Sequence, residues 1–216
     1  MDNLYVTKVI GMFAEGKTEP AILHIIISAV ILVLTIITAK LVISKTPGYE
    51  KGKKRYTFSL AAVSVVAMLM IGKYGILNVA VYKGIVFTLI MLYASLCDIY
   101  ERKVANFVSI EILILGFIET SVKTLAVNAL AGIAFFIFMF VTAMIANGKL
   151  GGADFKITAA SAFVLGFKRS ISGMIIGLLL SVIITLIIKK VRKTKDNSLP
   201  LVPYLATGFL SSYIFL

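Results

Sequence analysis

An all-α, polytopic transmembrane helical bundle of about eight spans (six to eight) is the fold class this sequence predicts, and three observations carry it. The chain of 216 residues is 60% hydrophobic, with a mean hydropathy of +1.02, whereas a soluble domain of this length rarely exceeds about half apolar residues. Apolar runs near or above the roughly 18 residues needed to cross a bilayer recur from end to end. No proline interrupts any of them before residue 200.

The spans read, in order, as 21–43, 58–72, 76–97, 105–120, 125–146, 154–168, 171–188 and 199–216. Residues 1–20, with Asp2, Glu15 and Glu19, read as a polar, mixed tail without a cleavable signal peptide. The run 21–43 is long and uninterrupted, and its single histidine, His24, reads as interfacial. Runs 58–72 and 154–168 are short, reaching only about 22 Å as helices, so tilt or partial re-entry would have to accommodate them. Run 171–188 opens with S-G-M-I-I-G, where Gly173 and Gly177 form a GxxxG pair suited to close helix packing. The Phe and Tyr residues read as lipid-facing or core bulk.

Charge sets the orientation. The hydrophilic breaks at 98–103, 147–156 and 189–197 are each separated by two spans and so share a side. They carry Arg102, Lys103, Lys149, Lys156, Lys189, Lys190, Arg192, Lys193 and Lys195, against Lys123, Lys168 and Arg169 in the opposite turns. Basic residues collect on the cytoplasmic side, which predicts a multi-pass plasma-membrane protein with the first set of loops inside. The formal net charge of +12 is thereby a topology signal, and no nucleic-acid partner is expected. The single cysteine, Cys97, excludes an internal disulfide framework and a Cys-based zinc site. No metal or other cofactor is expected.

Ten acidic residues are present, and four of them, Asp98, Glu101, Glu111 and Asp154, lie in or at the edge of apolar spans. Ionisable groups there are costly unless partnered and therefore point to function. Glu111, inside 105–120, needs a partner or a wet cavity. Asp98 ends the run I-V-F-T-L-I-M-L-Y-A-S-L-C-D, and Asp154 opens D-F-K-I-T-A-A-S-A-F. Span parity places both at cytoplasmic helix ends, so they share side and depth. A pair of carboxylates so placed suits acid–base catalysis, one ionised to deprotonate water and one protonated to donate to a carbonyl oxygen. Two close carboxylates share a proton because both cannot ionise cheaply. Taken singly, each also fits a structural role. Asp154 fits a helix N-cap, Asp98 a surface pairing with Arg102 or Lys103, and Lys156 either a charge partner for Asp154 or a snorkelling lysine. Gly148, Gly151 and Gly152 weaken any helix before Asp154 and give the backbone room for close approach.

Together these features resemble the type IV prepilin peptidase family, including the archaeal preflagellin peptidases, which are polytopic aspartic proteases of the GxGD class. C-D-I-Y-E-R-K-V-A-N at 97–106 is similar to the family's aspartate, basic cluster and I-P-N. G-G-A-D-F-K at 151–156 is similar to GxGD-x-K. L-P-L-V-P-Y-L-A-T-G at 199–208 resembles the proline-containing start of the last helix. The resemblance covers roughly residues 80–216. It implies catalysis by Asp98 and Asp154, supported by Gly151, Gly152 and Lys156. The implied substrates are prepilin-like precursors (type IV pilin, pseudopilin or archaellin), each with a short basic leader before an apolar helix, cleaved at the cytoplasmic face. Two positions depart from the motifs: Ala153 replaces the second glycine of GxGD, and Ala105 the proline of I-P-N, leaving Asn106 as a candidate N-cap. The loop 44–57 lacks the paired CxxC motifs of bifunctional bacterial members, so N-methyltransferase activity is not expected. Residues 1–75 read as a tail plus accessory helices and 76–216 as the catalytic membrane domain. A small proton- or cation-coupled transporter using the same carboxylates, and a catalytically inactive peptidase-like scaffold, are the competing readings.

Overall fold

The computed structural model describes residues 5–15, 18–46, 53–145, 151–192 and 200–216. Residues 47–52 of the basic loop 44–57, the stretch 146–150 with Gly148 and Lys149, and residues 193–199 with Asp196 lie outside the described residues. Eight helices occupy the described chain: α1 Tyr5–Ala14, α2 Thr18–Ser44, α3 Lys53–Tyr74, α4 Val79–Glu101, α5 Asn106–Gly116, α6 Val122–Ile145, α7 Gly152–Arg192 and α8 Val202–Phe215. No strand occurs among the described residues. Five helices (α2, α3, α4, α6 and α7) are long and apolar enough to cross a membrane. The sequence-predicted helical membrane bundle is what the chain forms.

Two compact units divide the chain, residues Met1–Leu89 and Ile90–Leu216. In the first, α1 packs on α2 and α3. Here the expectation of a polar tail is corrected: Val6, Val9, Ile10 and Phe13 form an i, i+3, i+4, i+7 stripe that lines an apolar cavity of about 370 Å³. Tyr5 pins the start of α1, its hydroxyl lying 2.8 Å from His24 Nδ1, with the two rings edge to face at 5.7 Å. The run 58–72, expected to be short, belongs to the 22-residue α3, about 33 Å long.

The second unit is organised around α7. That helix has 41 residues and is interrupted at Gly166 (φ 75, ψ 176). Its first leg runs antiparallel to α6: Phe155 meets Phe136 and Phe140 edge to face at 5.3 and 6.1 Å, Phe163 lies beside Gly132, and Gly166 lies beside Asn128. The same leg runs parallel to α5, from the Lys156–Asn106 contact to Phe163, whose ring covers Gly116.

The second leg runs antiparallel to α8. Gly177 lies against Tyr204 and Leu205, Gly173 against Gly208 and Phe209, and the Ser212 hydroxyl donates to the Arg169 carbonyl. The N-terminus of α8 touches Asp98, which is within electrostatic reach of Asp154. Residues 154 and 177 thus lie towards one end of the unit and residues 166–169 at the other, so the chain turns back at Gly166. The sequence placed this turn at Lys168 and Arg169. It falls two residues earlier because reversal needs a backbone conformation that glycine alone adopts without strain. Helices α5 and α8, with 11 and 14 residues, are shorter than the predicted runs 105–120 and 199–216 and reach about 16 and 21 Å.

Candidate active site

Asp98 sits in the last turn of α4. That helix ends where Arg102 adopts φ 55 while its N–H still donates to the Asp98 carbonyl at 3.2 Å. A left-handed residue is the common way to stop a helix, and it is glycine in most proteins; here an arginine takes it, next to the aspartate. The Asp98 side chain is half-buried. Its Oδ2 accepts from the Val202 N–H at 3.1 Å, and Arg102 lies within its electrostatic reach. Asp98 is therefore more than a surface charge beside basic neighbours, because it also binds the start of a helix 104 residues away.

Asp154 is 8% exposed, although it lies in the first turn of α7. The Gly151 N–H donates to its Oδ2 at 3.0 Å, and the Asp154 N–H donates back to the Gly151 carbonyl at 3.0 Å. The first of these is the return arm of a capping box, in which the third helical residue satisfies the N-cap amide. The helix-cap reading of Asp154 is thus realised, and it leaves the carboxylate buried and within reach of Asp98. Gly151 has a packing reason as well, since a Cβ there would stand 3.1 Å from Asp154 Oδ2. Gly152 is exposed, with only the Phe155 ring nearby.

Lys156 does not lie against Asp154. Its Nζ donates to Asn106 Oδ1 at 3.0 Å and ties the start of α7 to the start of α5. The N-cap of α5 is Ala105, which makes no side-chain cap, so Asn106 serves as this inter-helix acceptor and not as the expected cap. Glu111 is exposed on α5.

Along α7, Asp154, Thr158 and Ser161 share one face at i, i+4 and i+7, and all three are buried. The opposite face, with Lys156, Ala159, Ala160 and Phe163, lines a separate apolar groove of about 610 Å³ against α5 and α6. The Asp154 carboxylate therefore faces away from that groove. Both motif departures are conformationally ordinary. Ala153 lies inside α7 and is not among the positive-φ residues of the described chain. Ala105 has φ −68 and ψ 145, which a proline also adopts.

Sequence reasoning missed the Val202 amide. Every non-proline residue carries a backbone donor, so no side-chain signal marks this one. The nearest cue was the proline-containing L-P-L-V-P that opens α8. No group of three or more His, Cys, Asp or Glu residues that could hold a metal occurs among the described residues.

Residues 85–188 match the model of the type IV leader peptidase family, a stretch that contains both Asp98 and Asp154 and stops short of α8. The chain is 25% identical over 181 residues to a protein of Bacillus subtilis (strain 168) named prepilin leader peptidase/N-methyltransferase, covering 77% of this chain and 72% of that relative. No solved structure matches the chain.

Proposed function

Because residues 85–188 belong to the type IV leader peptidase family, we propose that the chain is a membrane-embedded aspartic endopeptidase with Asp98 and Asp154 as its catalytic pair. It removes the short leader from prepilin-like precursors at the cytoplasmic membrane face, and residues 76–216 carry the activity. The observation that supports this most is that Asp98, at the end of α4, and Asp154, at the start of α7, lie within electrostatic reach of each other. Each carboxylate is oriented by a backbone N–H, that of Val202 or Gly151.

Two carboxylates within electrostatic reach hold one proton between them. The ionised member takes a proton from water, and the resulting hydroxide attacks the scissile carbonyl carbon. The protonated member donates to the carbonyl oxygen. Collapse of the tetrahedral intermediate breaks the C–N bond, and the proton taken from water goes to the departing amine. Gly151 supports Asp154 through its amide, and Lys156 supports it indirectly by tying α7 to α5. The excess of basic residues in the loops on this side favours the cytoplasmic orientation.

The Bacillus relative's name includes a second, methyl-transferring activity. With Cys97 as the only cysteine, a tetra-cysteine zinc site is not available to this chain, and we expect cleavage without methylation. Membranes holding the protein, incubated with a prepilin-like precursor, should release the leader and leave an unmethylated new N-terminus by mass spectrometry. Asp98→Asn and Asp154→Asn should each abolish cleavage at unchanged protein level. Full cleavage by either variant would sink the dyad.

A further inference from the structure

A helix leaves its first four backbone N–H groups without an internal partner, and a side chain at the N-cap normally takes one of them. At α8 the N-cap is Leu201, which makes no side-chain cap, and prolines flank the start. The Val202 amide goes instead to Asp98 Oδ2, and the Leu201 amide is directed at the same carboxylate with a smaller effect. Asp98 thus supplies from another helix what a local serine or aspartate usually supplies. The arrangement also sets a carboxylate against the positive end of the helix dipole.

What holds α8 in that place is backbone on backbone. A Cβ on Gly208 would collide with the Gly173 carbonyl oxygen and stand 2.6 Å from the Gly177 nitrogen. A Cβ on Gly177 would stand 2.8 Å from the Tyr204 carbonyl oxygen, and one on Gly173 would stand 3.0 Å from Phe209 Cα. Three glycines therefore set the separation of the two helices: at Gly177 and Gly208 every near neighbour is backbone, and at Gly173 the Phe209 ring is the nearest group, 2.7 Å from where a Cβ would stand. The far end is tied by the Ser212 hydroxyl on the Arg169 carbonyl and by the Arg169 guanidinium over the Tyr213 ring at 5.9 Å.

We infer that α8 is the positioning element of Asp98: the glycine-seated helix holds the Val202 N–H against Oδ2 and so fixes how the carboxylate turns towards Asp154. The inference rests on the dyad reading above and adds to it a backbone donor and a packing contact. It gives the Gly173–Gly177 pair a task that reaches the site through Gly208. Helix α8 acts through Asp98 and contributes no reacting atom of its own.

The test removes one atom group. Incorporating α-hydroxyvaline at position 202 by nonsense suppression turns the Leu201–Val202 amide into an ester. The side chain survives and that N–H has no intrahelical partner to lose; the Leu201 carbonyl, which accepts from the Tyr204 and Leu205 N–H groups, becomes a weaker ester acceptor, and the unfolding midpoint reads that cost separately from kcat. Suppression of the same codon with valine is the control. Leader removal is followed in detergent as kcat and KM separately, alongside thermal unfolding. Losing a hydrogen bond to a charged group should lower kcat by about tenfold to a hundredfold, with KM within about twofold and the unfolding midpoint close to the control.

Gly208→Ala attacks the same device from the packing side and should show the same loss in kcat. If it fails to fold, the ester variant decides. Parental kcat in the ester variant overturns the inference, as does a loss confined to KM, which would make α8 a substrate-binding element. Asp98→Asn, assayed in parallel, separates the two levels. An active Asp98→Asn overturns the dyad and this role together. An inactive Asp98→Asn beside a fully active ester variant overturns the positioning role alone.

Discussion

Replacing Gly166 with alanine should be among the most costly single-methyl changes in the second unit, and the structure gives the size of the effect. Gly166 has φ 75 and ψ 176, a region that only glycine occupies freely, where another residue costs about 1–3 kcal/mol. The added Cβ would also stand 2.8 Å from Asn128 Oδ1. Asn128 is 8% exposed, so it has little room to retreat, and overpacking of this kind costs about 1–3 kcal/mol more. Alanine restricts the unfolded chain and recovers up to about 1 kcal/mol.

The net expectation is a loss of about 1–6 kcal/mol. At about 2–4 °C per kcal/mol for a chain of this size, the melting midpoint should fall by roughly 2–24 °C. Cys97 is the only cysteine and is buried, so a thiol-reactive dye reports unfolding directly in detergent. Asn128→Ala in the Gly166→Ala background removes the collision and leaves the backbone cost, so it should restore part of the lost midpoint and not all of it. A Gly166→Ala midpoint within about 2 °C of the parent would refute the reasoning. Complete restoration by Asn128→Ala would refute the backbone half of it.

Three further outcomes follow from other positions. Ala153→Gly should leave leader cleavage within about twofold of the parent, because the position lies inside a helix and needs no positive φ; the variant should lose up to about 1 kcal/mol of stability, and a large gain in turnover would show that the methyl obstructs the site. Ala105→Pro should raise stability by about 0.4–1 kcal/mol, since φ −68 already suits proline; a lower melting midpoint would contradict this. Lys156→Met and Asn106→Ala should weaken the protein by similar amounts, with a coupling energy of about 0.5–1 kcal/mol in a double-mutant cycle, and fully additive losses would mean the two side chains act separately.

Hydropathy and charge made the membrane bundle legible, because long apolar runs bounded by basic breaks need no tertiary context to be read. Span parity put Asp98 and Asp154 at helix ends on one side, which suggested the proposed pair, and the close approach at Gly173 and Gly177 was legible through their spacing. The position of the turn in α7 was harder to read. Lys168 and Arg169 mark where polarity rises, whereas the reversal itself sits at Gly166, set by a dihedral angle that composition does not report. Helix α1 was hidden because its four-residue apolar stripe is diluted by the polar residues around it. Asn106 was assigned to a cap by its place in the sequence, yet its acceptor oxygen serves Lys156, 50 residues away. A contact over that distance is invisible until α5 and α7 are side by side.

Because α7 turns back at Gly166 within one helical stretch, Gly152–Lys190 offers the insertion machinery 39 residues, nearly twice the roughly 20 that one crossing needs, with Lys168 and Arg169 near its middle. Between the two legs the chain offers only this short basic step. The two must partition into lipid as one hairpin, and in the proposed orientation its tip carries Lys168 and Arg169 across the bilayer in a single event. Biogenesis of this segment is then all-or-none: a nascent chain halted inside the second leg strands those two charges, and α8 has nothing to seat against until the hairpin is complete.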